Sequence, residues 1–115
     1  MPTNILGISF DAPDAVSIAG FWAGALGGTV QEGASPDFAA VVVTDGGPTL
    51  WFHKVPEQRT VKNRVHLDLS TADFEGESKR LRGLGAAQLT TLADNDGMWA
   101  NFADPDGNEF DLIPE

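Results

Sequence analysis

The sequence predicts an α+β fold in which one unit of pattern βαβββ occurs twice, and two repeated features support this prediction. Two helix-like stretches end in the related sequences ALGG, at residues 25–28, and GLGA, at residues 83–86. The turn and strand at residues 44–52 match those at residues 104–112 with a shift of 60 residues. Each half offers one helix and four short strands, so the whole chain is expected to form two helices and eight strands.

The first unit is predicted to cover about residues 1–55. Its apolar residues recur at helical spacing from Ala15 to Leu26 and stop at Gly27, where glycine can adopt the left-handed conformation that ends helices. We therefore expect a helix near residues 13–26, with Trp22 on its buried stripe. Turn-forming residues separate the strand candidates of this unit, which are residues 4–10, 28–33, 38–44 and 49–55.

The second unit is predicted to cover about residues 64–115. Phe74, Leu81 and Leu84 form a helical stripe, Asp73 is suited to cap its start, and Gly85 ends it. These features predict a helix near residues 73–84. The strand candidates of this unit are residues 64–70, 87–92, 98–103 and 109–113.

The last strand raises a question about Asp111. Alternation along a strand places Phe110 and Leu112 on one side and Glu109 and Asp111 on the other. If the second side faces water, Asp111 is a solvated carboxylate. If it faces a cavity, Asp111 is a candidate ligand or base.

The whole chain, residues 1–115, is predicted to be a single domain with a polar linker at about residues 56–63. Neither half is long enough to bury its own sheet easily, so the two halves are expected to share a core. The natural arrangement is two curved sheets enclosing a cleft, with the helices outside.

Composition excludes several classes of function. The chain has no cysteine, so disulfides, thiolate nucleophiles and Cys-ligated metals are excluded. Its net charge of −10 opposes binding to nucleic acid, and no segment approaches the length of a membrane span. The basic residues Lys54, Arg59, Lys62 and Arg64 indicate a solvated linker. We therefore expect a cytoplasmic protein with no nucleic-acid or membrane partner.

Four features of the sequence occur together: the tandem βαβββ plan, FWAGALGG after the first strand, VHLDLSTAD at the start of the second unit and DPDGNEF before the last strand. With these features the chain resembles the vicinal oxygen chelate superfamily. Within it, the chain is similar to small glyoxalase-like (glyoxalase/bleomycin resistance/dioxygenase) domain proteins. The resemblance covers essentially the whole chain. Because members include lyases, isomerases, dioxygenases and proteins that only sequester a drug, it says little about activity.

The resemblance implies a metal site with two ligands from each unit, and this chain retains half of it. His66 occupies the position of a histidine ligand and Asp111 that of a glutamate ligand. The first-unit counterparts are Gly7 or Ile8 for His66 and Trp51 for Asp111, and none of these side chains binds metal. We therefore predict no metal cofactor; the alternative is one divalent ion held by His66 and Asp111, with His53 as a displaced third ligand.

Two alternatives stay open for the retained residues. His66 is either a buried histidine satisfied by a neighbouring acid, such as Asp68 on the same strand face, or a group that contacts or protonates a bound molecule. Asp111 is either an exposed edge carboxylate or a pocket residue. An indole at position 51 would make the pocket aromatic and suited to planar or cationic molecules.

The predicted function is binding of a small organic molecule in an aromatic cleft without metal. The alternative is a metal-dependent lyase, isomerase or dioxygenase, and no catalytic residue is assigned. Because some relatives build cavities from two chains, a homodimer is a candidate assembly. The predicted ligand-binding residues are His66, Asp111, Trp51, His53, Trp99 and Asn101.

Overall fold

The computed structural model describes residues 3–44, 46–57, 60–61, 63–94 and 97–115, with the side chain of Asp94 left out. The chain divides into two compact units, residues 1–58 and 59–115. Part of the predicted linker, including the basic residues Arg59 and Lys62, lies outside the described residues. Among the helices described, none is long and apolar enough to cross a membrane.

The first unit forms one mixed four-stranded sheet and one helix. Strand β1 pairs in parallel with β4, whereas β4 with β3 and β3 with β2 pair antiparallel, which gives the order β1-β4-β3-β2. Its elements are β1 (Gly7–Ala12), α1 (Ala15–Leu26), β2 (Thr29–Val30), β3 (Phe38–Val42) and β4 (Thr49–Lys54).

Helix α1 forms where the apolar spacing predicts it. The Asp14 side chain accepts a hydrogen bond from the Ser17 backbone N–H at 3.3 Å, and Gly27 ends the helix with a φ of 66°. Trp22 is 1% exposed, and its ring lies 5.6 Å from that of Phe10, which stacks on Phe52 at 5.0 Å. These aromatic contacts form much of the core of the first unit and confirm the prediction for Trp22.

The second unit repeats the plan with order β5-β8-β7-β6, in which β5 pairs in parallel with β8. The β8–β7 and β7–β6 pairs are antiparallel, and a register shift interrupts β6 between Gln88 and Thr90. Its elements are β5 (Leu67–Thr71), α2 (Phe74–Leu84), β6 (Ala87–Asp94), β7 (Gly97–Ala103) and β8 (Glu109–Pro114).

Asp73 caps the start of helix α2, where its side chain accepts a hydrogen bond from the Gly76 backbone N–H at 3.0 Å. Gly85 caps the end of the helix with a φ of 115°. On its outer side, Arg80 hydrogen-bonds Glu77 at 2.7 Å, and this hydrogen bond lowers the pKa of Glu77. The pair therefore adds stability above the usual pKa of a glutamate and loses it as the pH falls through the lowered pKa. Since both side chains are partly exposed, the contribution is small.

The observed elements confirm the predicted fold. Within the described residues there are two helices and eight strands in two mixed four-stranded sheets, and every predicted strand overlaps an observed one. The predicted alternation along β8 is also confirmed, because Phe110 and Leu112 are each 1% exposed whereas Asp111 is only partly buried. The turn before β8, at residues 104–108, is held by side-chain hydrogen bonds.

Asp104 organises that turn from a buried position. It is 3% exposed, and its Oδ1 accepts hydrogen bonds from the backbone N–H groups of Asp106, at 3.0 Å, and Asn108, at 2.8 Å. Its Oδ2 accepts from Asn108 Nδ2 at 3.0 Å. The carboxylate thus accepts hydrogen bonds from backbone N–H groups of the tight turn and fixes the point at which β8 begins.

We expect Asp104→Ala to lower the free energy of unfolding by about 2–3 kcal/mol, because partly buried backbone donors lose a charged acceptor. Urea denaturation would measure the change. Asp104→Asn keeps one carbonyl acceptor and should cost less than the alanine variant. Equal stability of Asp104→Ala and the parent protein would contradict this role.

Candidate functional site

The parallel pairing of β5 with β8 places polar residues of the second unit side by side. Asp68 is the register partner of Asp111, and Asn101 on β7 pairs with Asp111 from the other side. Because register partners share a face, these three side chains project from the same face of the sheet. His66 lies two residues before Asp68, immediately ahead of β5, so alternation directs it to that face as well.

The four side chains converge. The His66 Nδ1 atom lies 3.0 Å from Asp68 Oδ1 and 3.9 Å from Asp111 Oδ2. Asn101 Nδ2 donates a hydrogen bond to Asp111 Oδ1 at 3.0 Å, which orients the carboxylate. The side chain of Asp111 is 19% exposed, compared with 38% for His66 and 55% for Asp68. Asp111 is therefore the most enclosed of the three titratable groups, and the polar cluster opens to solvent through His66 and Asp68.

A groove of about 360 Å³ adjoins the cluster. Its polar wall consists of His66, Asp68 and Asp111, and its remaining lining comes from Gly97, Met98, Trp99, Ile113 and Pro114. The volume falls within the range of small-molecule sites, which combine apolar walls with a few placed polar groups. The second unit therefore contains a concave site with one acidic wall and one apolar wall.

The structure brings together most of the predicted site residues of the second unit. His66, Asp111 and Trp99 line the groove. Asn101 lies next to this lining and donates a hydrogen bond to Asp111. The placement of His66 and Asp111 on one side of the sheet agrees with the predicted alternation. Neither is fully exposed.

The predicted residues Trp51 and His53 belong to β4 of the first unit. The His53 ring packs against the ring of its register partner Phe38, with 5.2 Å between centroids. The residue that joins His66 and Asp111 as a third potential metal ligand is Asp68, and one ligand atom from each of the three lies within 4.8 Å of the others.

Asp68 was not among the predicted ligand-binding residues. The spacing of His66 and Asp68 shows from the sequence that they share a strand face. Their joint position beside Asp111 depends on the β5–β8 register, which alternation alone does not specify. Met98, Ile113 and Pro114 carried no signal in the sequence beyond ordinary hydrophobicity.

The strand registers also show what replaces the cluster in the first unit. In the first unit Ser9 pairs with Trp51, and in the second unit Asp68 pairs with Asp111. His66 lies two residues before Asp68, and Gly7 lies two residues before Ser9. Gly7 rather than Ile8 is therefore the counterpart of His66. A Cβ atom built on Gly7 would lie 2.8 Å from Trp51 Cε3 and 2.7 Å from the Thr49 carbonyl oxygen. The Trp51 indole thus lies over the backbone where a histidine side chain would start.

Residues 7–113 match the sequence model of the glyoxalase-like domain family. The chain belongs to this family. The resemblance predicted from the sequence motifs is therefore confirmed over nearly the whole chain. No curated protein sequence matches it.

Solved structures of similar fold include several glyoxalase-related proteins. A glyoxalase/bleomycin resistance protein/dioxygenase family enzyme from Burkholderia phytofirmans PsJN is 16% identical with a TM-score of 0.78, over 97% of this chain and 98% of that one. A mutant of the fosfomycin resistance protein FosX from Listeria monocytogenes, complexed with Mn(II) and dihydroxypropylphosphonic acid, is 13% identical with a TM-score of 0.80, over 98% and 90% of the two chains.

A lactoylglutathione lyase from Agrobacterium tumefaciens is 13% identical with a TM-score of 0.68, and the match covers 99% of this chain and 95% of that one. At these identities the similarity establishes the fold, and it does not transfer an activity.

We expect Gly7→Ala to lower the free energy of unfolding by about 1–3 kcal/mol, because the new methyl group meets both the Trp51 ring and a backbone carbonyl. Chemical denaturation would measure this. Gly20→Ala is the matched control: nothing lies within 4 Å of a Cβ at this exposed position in α1, so alanine should stabilise the helix there. A neutral Gly7→Ala substitution would show that Trp51 is not held against this backbone.

Proposed function

We propose that this glyoxalase-like domain protein binds a small organic molecule in the groove of its second unit, without a resident metal. The observation that supports this most directly is the groove itself, which has about 360 Å³ of space lined by the polar wall and by Met98, Trp99 and Ile113. A molecule with an apolar body and a polar end would contact both walls. Trp99 would provide the broadest apolar contact.

The polar wall is suited to orienting a ligand. Asp111 is held by Asn101, and Oδ2 of its carboxylate points toward His66. A carboxylate whose second oxygen is already hydrogen-bonded loses little freedom when a ligand binds the other oxygen. Asp111 is thus the best-ordered contact that the groove offers.

The charge of the wall argues against catalysis through an anionic intermediate by these residues alone. Enzymes that form enolates or oxyanions direct hydrogen-bond donors or positive charge at the developing negative charge. Here two carboxylates flank the imidazole, at 3.0 Å and 3.9 Å from Nδ1, and would destabilise such an anion. Without a cation, the groove is better suited to binding than to this chemistry.

Trp51 and His53 remain proposed ligand-binding residues of the first unit. Trp51 is only partly buried, and its neighbours on the same face include Gly7, Ser9 and Ala40, which are all small. Small neighbours leave the indole uncovered by side chains from adjacent strands. This arrangement supports the proposed role of Trp51 as an aromatic surface for a planar or cationic molecule.

Screening a library of small aromatic fragments against the assigned protein by NMR tests the binding function. We expect chemical-shift changes to group at His66, Trp99 and Asp111. His66→Ala should weaken binding of the fragments found there by about threefold to tenfold, equivalent to one hydrogen bond. Glu75→Gln, at an exposed position of helix α2 that belongs to no proposed site, is the control and should leave fragment binding unchanged. Shifts confined to residues outside the groove would contradict the proposed site.

A metal-dependent lyase, isomerase or dioxygenase is the second candidate, and the compactness of the His66, Asp68 and Asp111 cluster favours it. Ligand atoms at about 2.1 Å from one ion lie at most about 4.2 Å apart, so a group within 4.8 Å needs only modest rearrangement. The Listeria protein of the same fold binds Mn(II). One imidazole and two carboxylates are suitable donors for a divalent ion.

In that case the three side chains would hold the ion, and a bound ion would supply the positive charge that polarises a substrate oxygen. Asn101 would then keep the Asp111 carboxylate oriented from outside the ligand set. Against this candidate, His66 and Asp68 are substantially exposed, and two flexible ligands make a poorly preorganised site. The metal-free function is therefore the one we propose.

Elemental analysis of the purified protein separates the two candidates. We expect no stoichiometric zinc, nickel, iron or manganese, because three ligands with two exposed side chains should bind such ions weakly. About one tightly held ion per chain, lost in His66→Ala and Asp111→Ala but retained in Glu75→Gln on helix α2, would instead establish the metal-dependent enzyme as the better candidate.

A further inference from the structure

We propose that the groove of the second unit selects a small organic cation with N–H donors on an apolar body, such as a protonated primary amine. This inference rests on the proposed binding function and specifies its ligand class. It follows from which atoms of the polar wall can donate and which can accept a hydrogen bond. Net charge alone is a weaker argument, since charge attracts any cation to any part of an acidic surface.

The polar wall offers mainly acceptors to a ligand. The carboxylates of Asp68 and Asp111 have no proton to donate in their ionised form. Asn101 donates one Nδ2 hydrogen to Asp111 Oδ1 at 3.0 Å and does not itself line the groove. His66 Nδ1 lies 3.0 Å from Asp68 Oδ1 and 3.9 Å from Asp111 Oδ2, so a proton on that nitrogen is directed at a carboxylate of the protein.

A ligand on this wall thus meets carboxylate acceptors, which are the second oxygen of Asp111 and the carboxylate of Asp68. Each is satisfied by a donor from the ligand, and an ammonium group offers three donors and a compensating positive charge. A carboxylate or phosphate ligand would bring further acceptors and negative charge. The excess of acceptors therefore disfavours ligands that would place an anionic group against this wall.

The apolar lining of the groove determines the rest of the ligand. Met98, Trp99 and Ile113 offer an indole, a thioether and an aliphatic side chain. These surfaces suit a short aromatic or alkyl body, and a cation near the Trp99 ring gains additional attraction from its face. The combination describes an arylalkylamine more closely than a small inorganic cation, which would leave the apolar wall unused.

Four benzyl compounds test the ligand class in NMR titrations of the full chain after treatment with a chelator. Benzylammonium carries charge and donors, benzyltrimethylammonium carries charge without donors, benzyl alcohol is neutral and benzoate is anionic. We expect benzylammonium to bind most tightly and to shift the Trp99 indole N–H and the Asn101 side-chain amide. We expect benzyltrimethylammonium to bind about tenfold more weakly, because it satisfies none of the acceptors.

Matched charge variants locate the interaction. Asp111→Asn keeps the contact with Asn101 and should weaken benzylammonium binding by about tenfold. Glu75 is an exposed residue of helix α2, which packs on the other face of the same sheet. Glu75→Gln removes one negative charge there and should leave binding unchanged. Equal loss in both variants would show that only the total charge matters and would overturn the inference.

The failures of the two proposals are distinguishable. If benzoate or benzyl alcohol bound the groove more tightly than benzylammonium, the cation inference would be wrong and the small-molecule function would stand. If benzyltrimethylammonium equalled benzylammonium, charge and the aromatic wall rather than N–H donors would select the ligand, and the inference would again fail. If none of the four shifted any groove residue, both proposals would be overturned.

Discussion

The parallel pairing between the first and last strands of each unit is the constraint on which the candidate site depends. In the second unit it sets Asp68 beside Asp111, and the antiparallel β7 then sets Asn101 on the other side of the same carboxylate. A slip of one residue in this register would turn Asp111 to the buried face that now holds Phe110 and Leu112. The buried aromatic and aliphatic side chains thus specify the register, and the register brings the polar residues together.

The same constraint gives opposite results in the two units. In the first unit the row of register partners is Ser9, Trp51 and Ala40, and in the second it is Asp68, Asp111 and Asn101. One unit carries a single indole among small side chains, and the other carries hydrogen-bonded polar groups beside a groove. A backbone plan that occurs twice can therefore support an aromatic surface in one copy and an ionisable cluster in the other.

The turn before β8 shows that an aspartate of this acidic chain can have a purely structural role. Asp104 is buried and receives three hydrogen bonds from its own turn, whereas Asp111 is partly exposed and receives one from Asn101 while facing His66. Both are aspartates within eight positions of the chain. What separates them is whether the carboxylate oxygens are used up by the fold or remain available at a surface.

The sequence by itself determined the family, the two βαβββ units, both helices with their capping residues and the orientation of Asp111 away from the core, because these depend on local periodicity, turn chemistry and motifs. It also identified His66 and Asp111 as partners through the family resemblance. Only the tertiary structure decided that Asp68 joins them, that Asn101 orients Asp111, and that Gly7 rather than Ile8 corresponds to His66. The first and third results depend on the register between strands more than forty residues apart along the chain, and the second depends on the register of β7 with β8. Side-chain alternation within one strand cannot specify either register.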